Sequence, residues 1–226
     1  MCGVALGAGW LAYQRQLGEL ERQVGDRLTL NLRAVESEIE RFRYLPSVVG
    51  QDRRITDMLL APQDGNAIAA ANRYLEAVRD SSGADELYVL DLAGETLAAS
   101  NWQEPGSFVG HNYAFRPYFT DAVATGSGRF YAVGVTTGKP GYFLTSRLDH
   151  GGGPLGVVVA KVDMSPLSVT WAAAGEMSAI ADGEGVVFLS GEPQWLYRPM
   201  HALDADTIAV LLAERRYDGV DIAAAE

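Results

Sequence analysis

The sequence predicts an α+β protein. A long N-terminal helix leads into an antiparallel sheet flanked by helices, and a smaller, incomplete copy of the start of that sheet follows. Three observations carry this reading. Apolar residues at Leu17, Leu20, Val24, Leu28, Leu32, Val35, Ile39 and Phe42 step by three or four along one helical face, and the first proline is Pro46. Between residues 86 and 164, β-branched and aromatic runs alternate with glycine-rich turns and are interrupted once. Finally, LYVLDLAGETLAAS recurs as SAIADGEGVVFLSG, with a strand, an acidic-glycine turn and a strand in each.

In chain order, MCGVALGAGWLAY (1–13) is apolar but shorter than the roughly 20 residues that span a bilayer. It lacks the basic start and cleavage site of a secretory signal. It ends in Trp10 and Tyr13, residue types that favour the membrane interface. It reads as the outer half of a transmembrane helix; a short buried helix is the alternative. Residues 14–45 form the long helix, whose apolar seam suits a homodimer. Three successive steps of four break a strict heptad, as a stutter does. Pro46 ends or kinks it. Residues 52–60 predict a short helix, and 66–80 a longer one with Asn66 as its N-cap. ELYVLD and ETLAAS pair as a hairpin across an Ala-Gly turn. Residues 101–115 are loop, and RPYFTDAVAT is a short helix with Pro117 in its first turn. Strands at 128–137, 142–149 and 155–164 are joined through GKPG and HGGGP. A helix from Ser165 to Ala174, the repeated hairpin, an irregular PQWLYRPM and a helix over 204–214 complete the chain. The expected divisions are thus a partial transmembrane segment (1–13), the long helix (14–45), a first sheet module (46–164) and a partial second module (165–226).

Composition narrows the function. The formal net charge is -11 and the pI about 4.7, against nucleic-acid binding, which needs a basic face. The one cysteine, Cys2, forms no intrachain disulfide. His111, His150 and His201 fall in three separate loops without metal-ligand spacing, so neither metal nor cofactor is expected. No G-x-S-x-G, Walker, H-E-x-x-H or Rossmann motif occurs, and no nucleophile–base pair stands out, so no enzyme activity is expected.

The stretch that asks for chemistry is HNYAFRPYF (111–119). Arg116 sits among aromatics in an acidic chain. Its guanidinium offers a planar fork that fits a carboxylate, and the N–H groups at the start of the following helix would add donors. Tyr113, three residues earlier, could face the same cavity. The strands that follow supply Tyr131, Thr136, Tyr142, Thr145 and a second cation, Lys161. Alternation along GVVVAKVDM leaves apolar residues on both faces, so Lys161 should be at least half-buried and should need a negative partner. The simpler readings are an arginine that stacks on aromatics and a lysine that guards a sheet edge.

The layout of a long helix and two PAS-like sheets resembles the double-module (dCache, or PDC) extracytoplasmic sensors. Within that group, NYAFRPYFTDAVATGSGRFYAVGVTTGKPGYFLTSR is similar to C4-dicarboxylate sensor histidine kinases of the DctB type, with the likeness running from about Arg41 to Met200. The resemblance implies a membrane-distal pocket for succinate, fumarate or malate. Tyr113 and Arg116 would hold one carboxylate, Thr136 and Tyr142 would line the pocket, and Lys161 would meet the other carboxylate. It also implies a periplasmic, membrane-anchored homodimer that reaches a response regulator only through a cytoplasmic kinase part not present in this sequence. Two rivals are the same fold on a chemoreceptor or cyclase sensing an amino acid or another carboxylate, and a ligand-free spacer.

Overall fold

The computed structural model describes residues 2–222; the side chains of residues 2–9, 11 and 12 lie outside the described set, and with them most of the expected 1–13 membrane segment. The chain divides into two compact units, Met1–Glu38 and Ile39–Glu226. The first lies in α1 (Cys2–Phe42). Along it Leu17, Leu20, Val24, Leu28 and Leu32 are exposed, so the apolar seam predicted from spacing stands open in the single chain. Among the described residues, no helix is long and apolar enough to cross a membrane.

In the second unit the chain does not simply stop its helix at Pro46. A new helix, α2 (Leu45–Gly50), starts there with the proline in its first turn, where the missing N–H costs nothing. α3 (Arg53–Leu60) is capped by Asp52, whose carboxylate accepts from the Arg54 N–H. α4 (Gly65–Ser82) is capped by Asp64 rather than by the expected Asn66, which instead donates its own N–H to that carboxylate. Gly83 ends α4 in a left-handed conformation.

Five strands follow: β1 (Glu86–Leu90), β2 (Thr96–Ala99), β3 (Ser127–Val133), β4 (Pro140–His150) and β5 (Gly153–Val162). Their order across the sheet is β2-β1-β5-β4-β3, and every pairing is antiparallel. The expected strand 128–137 ends at Val133, because residues 134–139 close a turn in which the Gly134 N–H donates to the Lys139 carbonyl. α5 (Pro117–Thr125) interrupts the strands and packs with Tyr88, Leu90, Val157, Val159 and Phe143. α2 covers the other face; the open side of Gly50 lies against Leu148 and Val158.

The repeat seen in the sequence is a repeat in space. β6 (Ala179–Ala181) and β7 (Val187–Ser190) form a second hairpin, preceded by α6 (Ser165–Ala173) and followed by α7 (Ala205–Ala213). Asp91 accepts from the N–H groups of Ala93 and Glu95, and Asp182 accepts from Glu184 and Val186 in the same way. Gly94 and Gly185 hold φ of 82° and 80°. The returning chain donates to each: Tyr113 N–H to Gly94, Met200 N–H to Gly185. The buried Tyr113 of the first hairpin is therefore matched by the exposed Met200 in the second.

Gly94 is the tightest point of this frame. A Cβ there would sit 2.6 Å from the backbone nitrogen of Ala114. Gly94→Ala combines that clash with a disfavoured positive φ and is expected to cost about 3 kcal/mol of stability, read by urea unfolding.

Candidate functional site

Arg116 is the N-cap of α5, with an extended backbone conformation that turns its side chain off the helix axis. It is 1% exposed. Its Nη1 donates to the carbonyls of Glu214 (3.0 Å) and Arg215 (2.9 Å), and its Nη2 to that of Val133 (2.8 Å). These carbonyls belong to the end of α7 and the end of β3. A guanidinium carries five N–H donors, so this set leaves part of the fork unused. Among the described residues no carboxylate forms an ion pair with it. Burial pulls its pKa below the ordinary arginine value, while the Tyr118 and Tyr88 hydroxyls beside it act in the opposite sense. The protein thus holds a cation in its interior against its own desolvation.

Around Arg116 lies a knot of aromatic rings. Tyr88 stacks on Phe108 at 4.8 Å and tilts against Tyr113 at 5.7 Å, and Tyr118 stacks on Phe143 at 5.0 Å. The Tyr88 and Tyr118 hydroxyls share a 2.8 Å hydrogen bond in full burial. Desolvation pushes both phenols up, Tyr118 beyond the ordinary tyrosine range. The Tyr113 hydroxyl bonds the Thr136 hydroxyl in the 134–139 turn.

Lys161 is also 1% exposed. It shares a sheet face with Val157 and Val159, the face on which Tyr113 and Tyr118 pack. Its Nζ lies 2.6 Å from Asp85 Oδ2, and the Asp85 N–H donates to the Lys161 carbonyl at 3.0 Å. A Cβ on Gly141 would come within 2.6 Å of Lys161 Cε, so the glycine makes room for the lysine stem. Gly141→Ala is therefore expected to displace the ammonium and to destabilise the fold by about 1–3 kcal/mol, measured by thermal denaturation.

The segment 133–141 is the hub of this site. Arg116 holds its first carbonyl, Tyr113 reaches Thr136, and the Lys161 stem runs beneath Gly134 and Gly141. Four of the seven expected residues, Tyr113, Arg116, Thr136 and Lys161, converge here. The other three do not. Tyr131 and Tyr142 are cross-strand partners on the opposite face, in or against the cluster of Val186, Leu211 and Tyr217. The Tyr131 hydroxyl donates to the Phe188 carbonyl. Strand alternation separates both from Lys161, because Phe143, not Tyr142, is the register partner of Lys161. Thr145 shares the Lys161 face but spends its hydroxyl on the carbonyls of Tyr118 and Gly128 under α5. Sequence reasoning missed Asp85, Tyr88 and Tyr118. The alternation that places Leu90 inward also places Tyr88, and Asp85 is the first acidic residue ahead of the strand that pairs with Lys161. Among the described residues no group of three or more His, Cys, Asp and Glu side chains is placed to hold a metal ion.

No family model matches the chain. It is 37% identical over 212 residues to the C4-dicarboxylate transport sensor protein DctB of Rhizobium meliloti strain 1021, covering 91% of this chain and 34% of that protein. The chain therefore spans about a third of that relative's length. The crystal structure of the Vibrio cholerae histidine kinase DctB sensor domain superimposes with a TM-score of 0.81 at 30% identity, covering 94% of this chain and 81% of that one. The ligand-binding domain of the Pseudomonas fluorescens chemoreceptor CtaA, solved with L-serine, superimposes with a TM-score of 0.59 at 15% identity, over 79% of this chain and 75% of that one. At that identity it shares the fold alone.

A long helix, a five-stranded antiparallel sheet with a helix over each face, and a second hairpin built on the same plan define a sensor domain of the double-module class. Within that class the chain belongs to the family of histidine kinase DctB sensor domains.

Proposed function

We propose that this chain is the periplasmic sensing region of a membrane-anchored two-component histidine kinase and that it binds C4-dicarboxylates such as succinate, fumarate and malate. The observation that carries the reading is the pair of buried cations, Arg116 and Lys161, each held against the 133–141 segment. A dianion needs two cations at opposite ends of one small site, and a guanidinium fork with hydroxyls beside it suits a carboxylate. The names of the DctB relatives point to the same ligand class. In this reading residues 46–164 are the membrane-distal binding module and 165–226 the membrane-proximal one. The segment 1–13 enters the inner membrane, and helix 14–45 carries the signal. The exposed seam from Leu17 to Leu32 supports a homodimer through that helix. Ligand shifts the equilibrium between two packings of this helix, by as much as its affinity for them differs. A response regulator is reached only through a kinase part outside this sequence.

The rival ligand is an amino acid, on the same fold in a chemoreceptor or cyclase. An ammonium group would need a free carboxylate. Asp149 is engaged by Arg147 and Asp163 caps the Ser165 N–H, while Asp85 is matched to Lys161. Titration calorimetry with succinate, fumarate, malate and L-serine separates the readings. Heat and a thermal shift with the diacids and none with L-serine are expected; silence toward all three diacids sinks the proposal.

A further inference from the structure

We infer that Asp85 is a specificity-determining residue, which holds Lys161 ready and sets how much negative charge the Lys161 end of the site accepts. This rests on the reading that ligand anions meet Arg116 and Lys161. Lys161 Nζ has one partner, Asp85 Oδ2 at 2.6 Å. An ammonium has three N–H donors, so among the described residues two lack an acceptor while the side chain is 1% exposed. Unmet donors at that depth call for acceptors from an occupant. The stem cannot swing away, because Gly141 lies directly against it. The Asp85 backbone is held beside the ammonium as well. Its backbone N–H is tied to the Lys161 carbonyl, and the next residue, Glu86, is the register partner of Lys161.

The charges around this end are mostly negative. Glu86 bonds the Ser100 hydroxyl and lies 3.5 Å from Arg79, which also meets Glu104 at 3.0 Å and Asp80 at 3.1 Å. Among these described ion pairs, four carboxylates (Asp80, Asp85, Glu86, Glu104) meet two cations (Arg79 and Lys161). A ligand carboxylate at Lys161 therefore arrives beside a carboxylate that has already neutralised the cation. A neutral acceptor, such as an amide, takes the same two N–H groups without that repulsion. Asp85 tempers the preference for a second full negative charge.

The probes are succinate and its monoamide, succinamate, titrated calorimetrically into the wild-type chain and into Asp85→Asn. Asparagine keeps an acceptor for Lys161 and removes the charge. The wild type should favour succinate over succinamate by less than about tenfold, and Asp85→Asn should raise succinate affinity about tenfold while moving succinamate less than about threefold. Asp85→Ser, a smaller uncharged acceptor, should move the ratio in the same direction and covers the case in which the asparagine variant folds poorly. Binding of succinate by the wild type with an unchanged ratio in both variants overturns the role of Asp85 and leaves the dicarboxylate reading standing. A wild type that binds neither probe removes the dicarboxylate reading and this inference together.

Discussion

Arg116→Ala is expected to abolish measurable dicarboxylate binding and, at the same time, to destabilise the fold by about 3 kcal/mol. The first effect follows from losing the buried guanidinium at the α5 end of the proposed site. The second follows from what that guanidinium already does. Three carbonyls, of Val133, Glu214 and Arg215, accept from it, and one of these bonds is fully buried. Removing the donor strips the buried Val133 oxygen of it, at about 1–3 kcal/mol for a buried group, while the Arg215 oxygen keeps the Asp218 N–H. Arg116 is thus both a candidate ligand cation and a donor that the protein's own backbone uses. Arg116→Lys refines the test: it keeps the charge and loses the planar fork, so stability should recover in part while binding stays weak. Urea unfolding and calorimetry on both variants check the pair of effects. An alanine variant as stable as the wild type would contradict the structural role.

Lys161→Met should separate binding from stability more cleanly. Methionine preserves the apolar stem beneath Gly141 and deletes the charge. The orphaned partner, Asp85, is a quarter exposed and can turn to water, so the variant avoids the penalty of a stranded buried ion. Stability should change by less than about 1 kcal/mol, whereas succinate affinity should fall about a hundredfold, close to 3 kcal/mol of a desolvated charge contact. A methionine variant that binds succinate like the wild type would move the second carboxylate elsewhere in the protein.

The two cations differ in how legible they were. Lys161 announces itself: a lysine inside GVVVAKVDM must be buried whichever face it takes, because both faces of that strand are apolar. What the run of letters does not show is that its counter-charge is supplied by Asp85, 76 residues earlier, through antiparallel register. Tyr131 and Tyr142 are the opposite case, lying on the sheet face away from Lys161. Hydroxyl-bearing residues on pocket strands are reasonable candidates, yet alternation alone cannot say which face of a strand meets the site. That choice depends on the packing of the second hairpin, whose Phe188 and Val186 take the Tyr131 face.

By itself the sequence determined the elements whose causes are local. Spacing of apolar side chains at three and four specifies α1, prolines and acidic caps place the helix starts, and the Asp-x-x-Gly turns make both hairpins. It also determined that Lys161 would be at least half-buried, since both faces of its strand are apolar. The tertiary structure alone decided what Arg116 and Lys161 touch. The partners of Arg116 are backbone carbonyls 17, 98 and 99 residues away, and a carbonyl has no signature in a sequence, because every residue carries one. Only folding brings the end of α7 and the end of β3 to the same guanidinium, and with that contact the anchor of the proposed site also becomes a structural pin between the two modules.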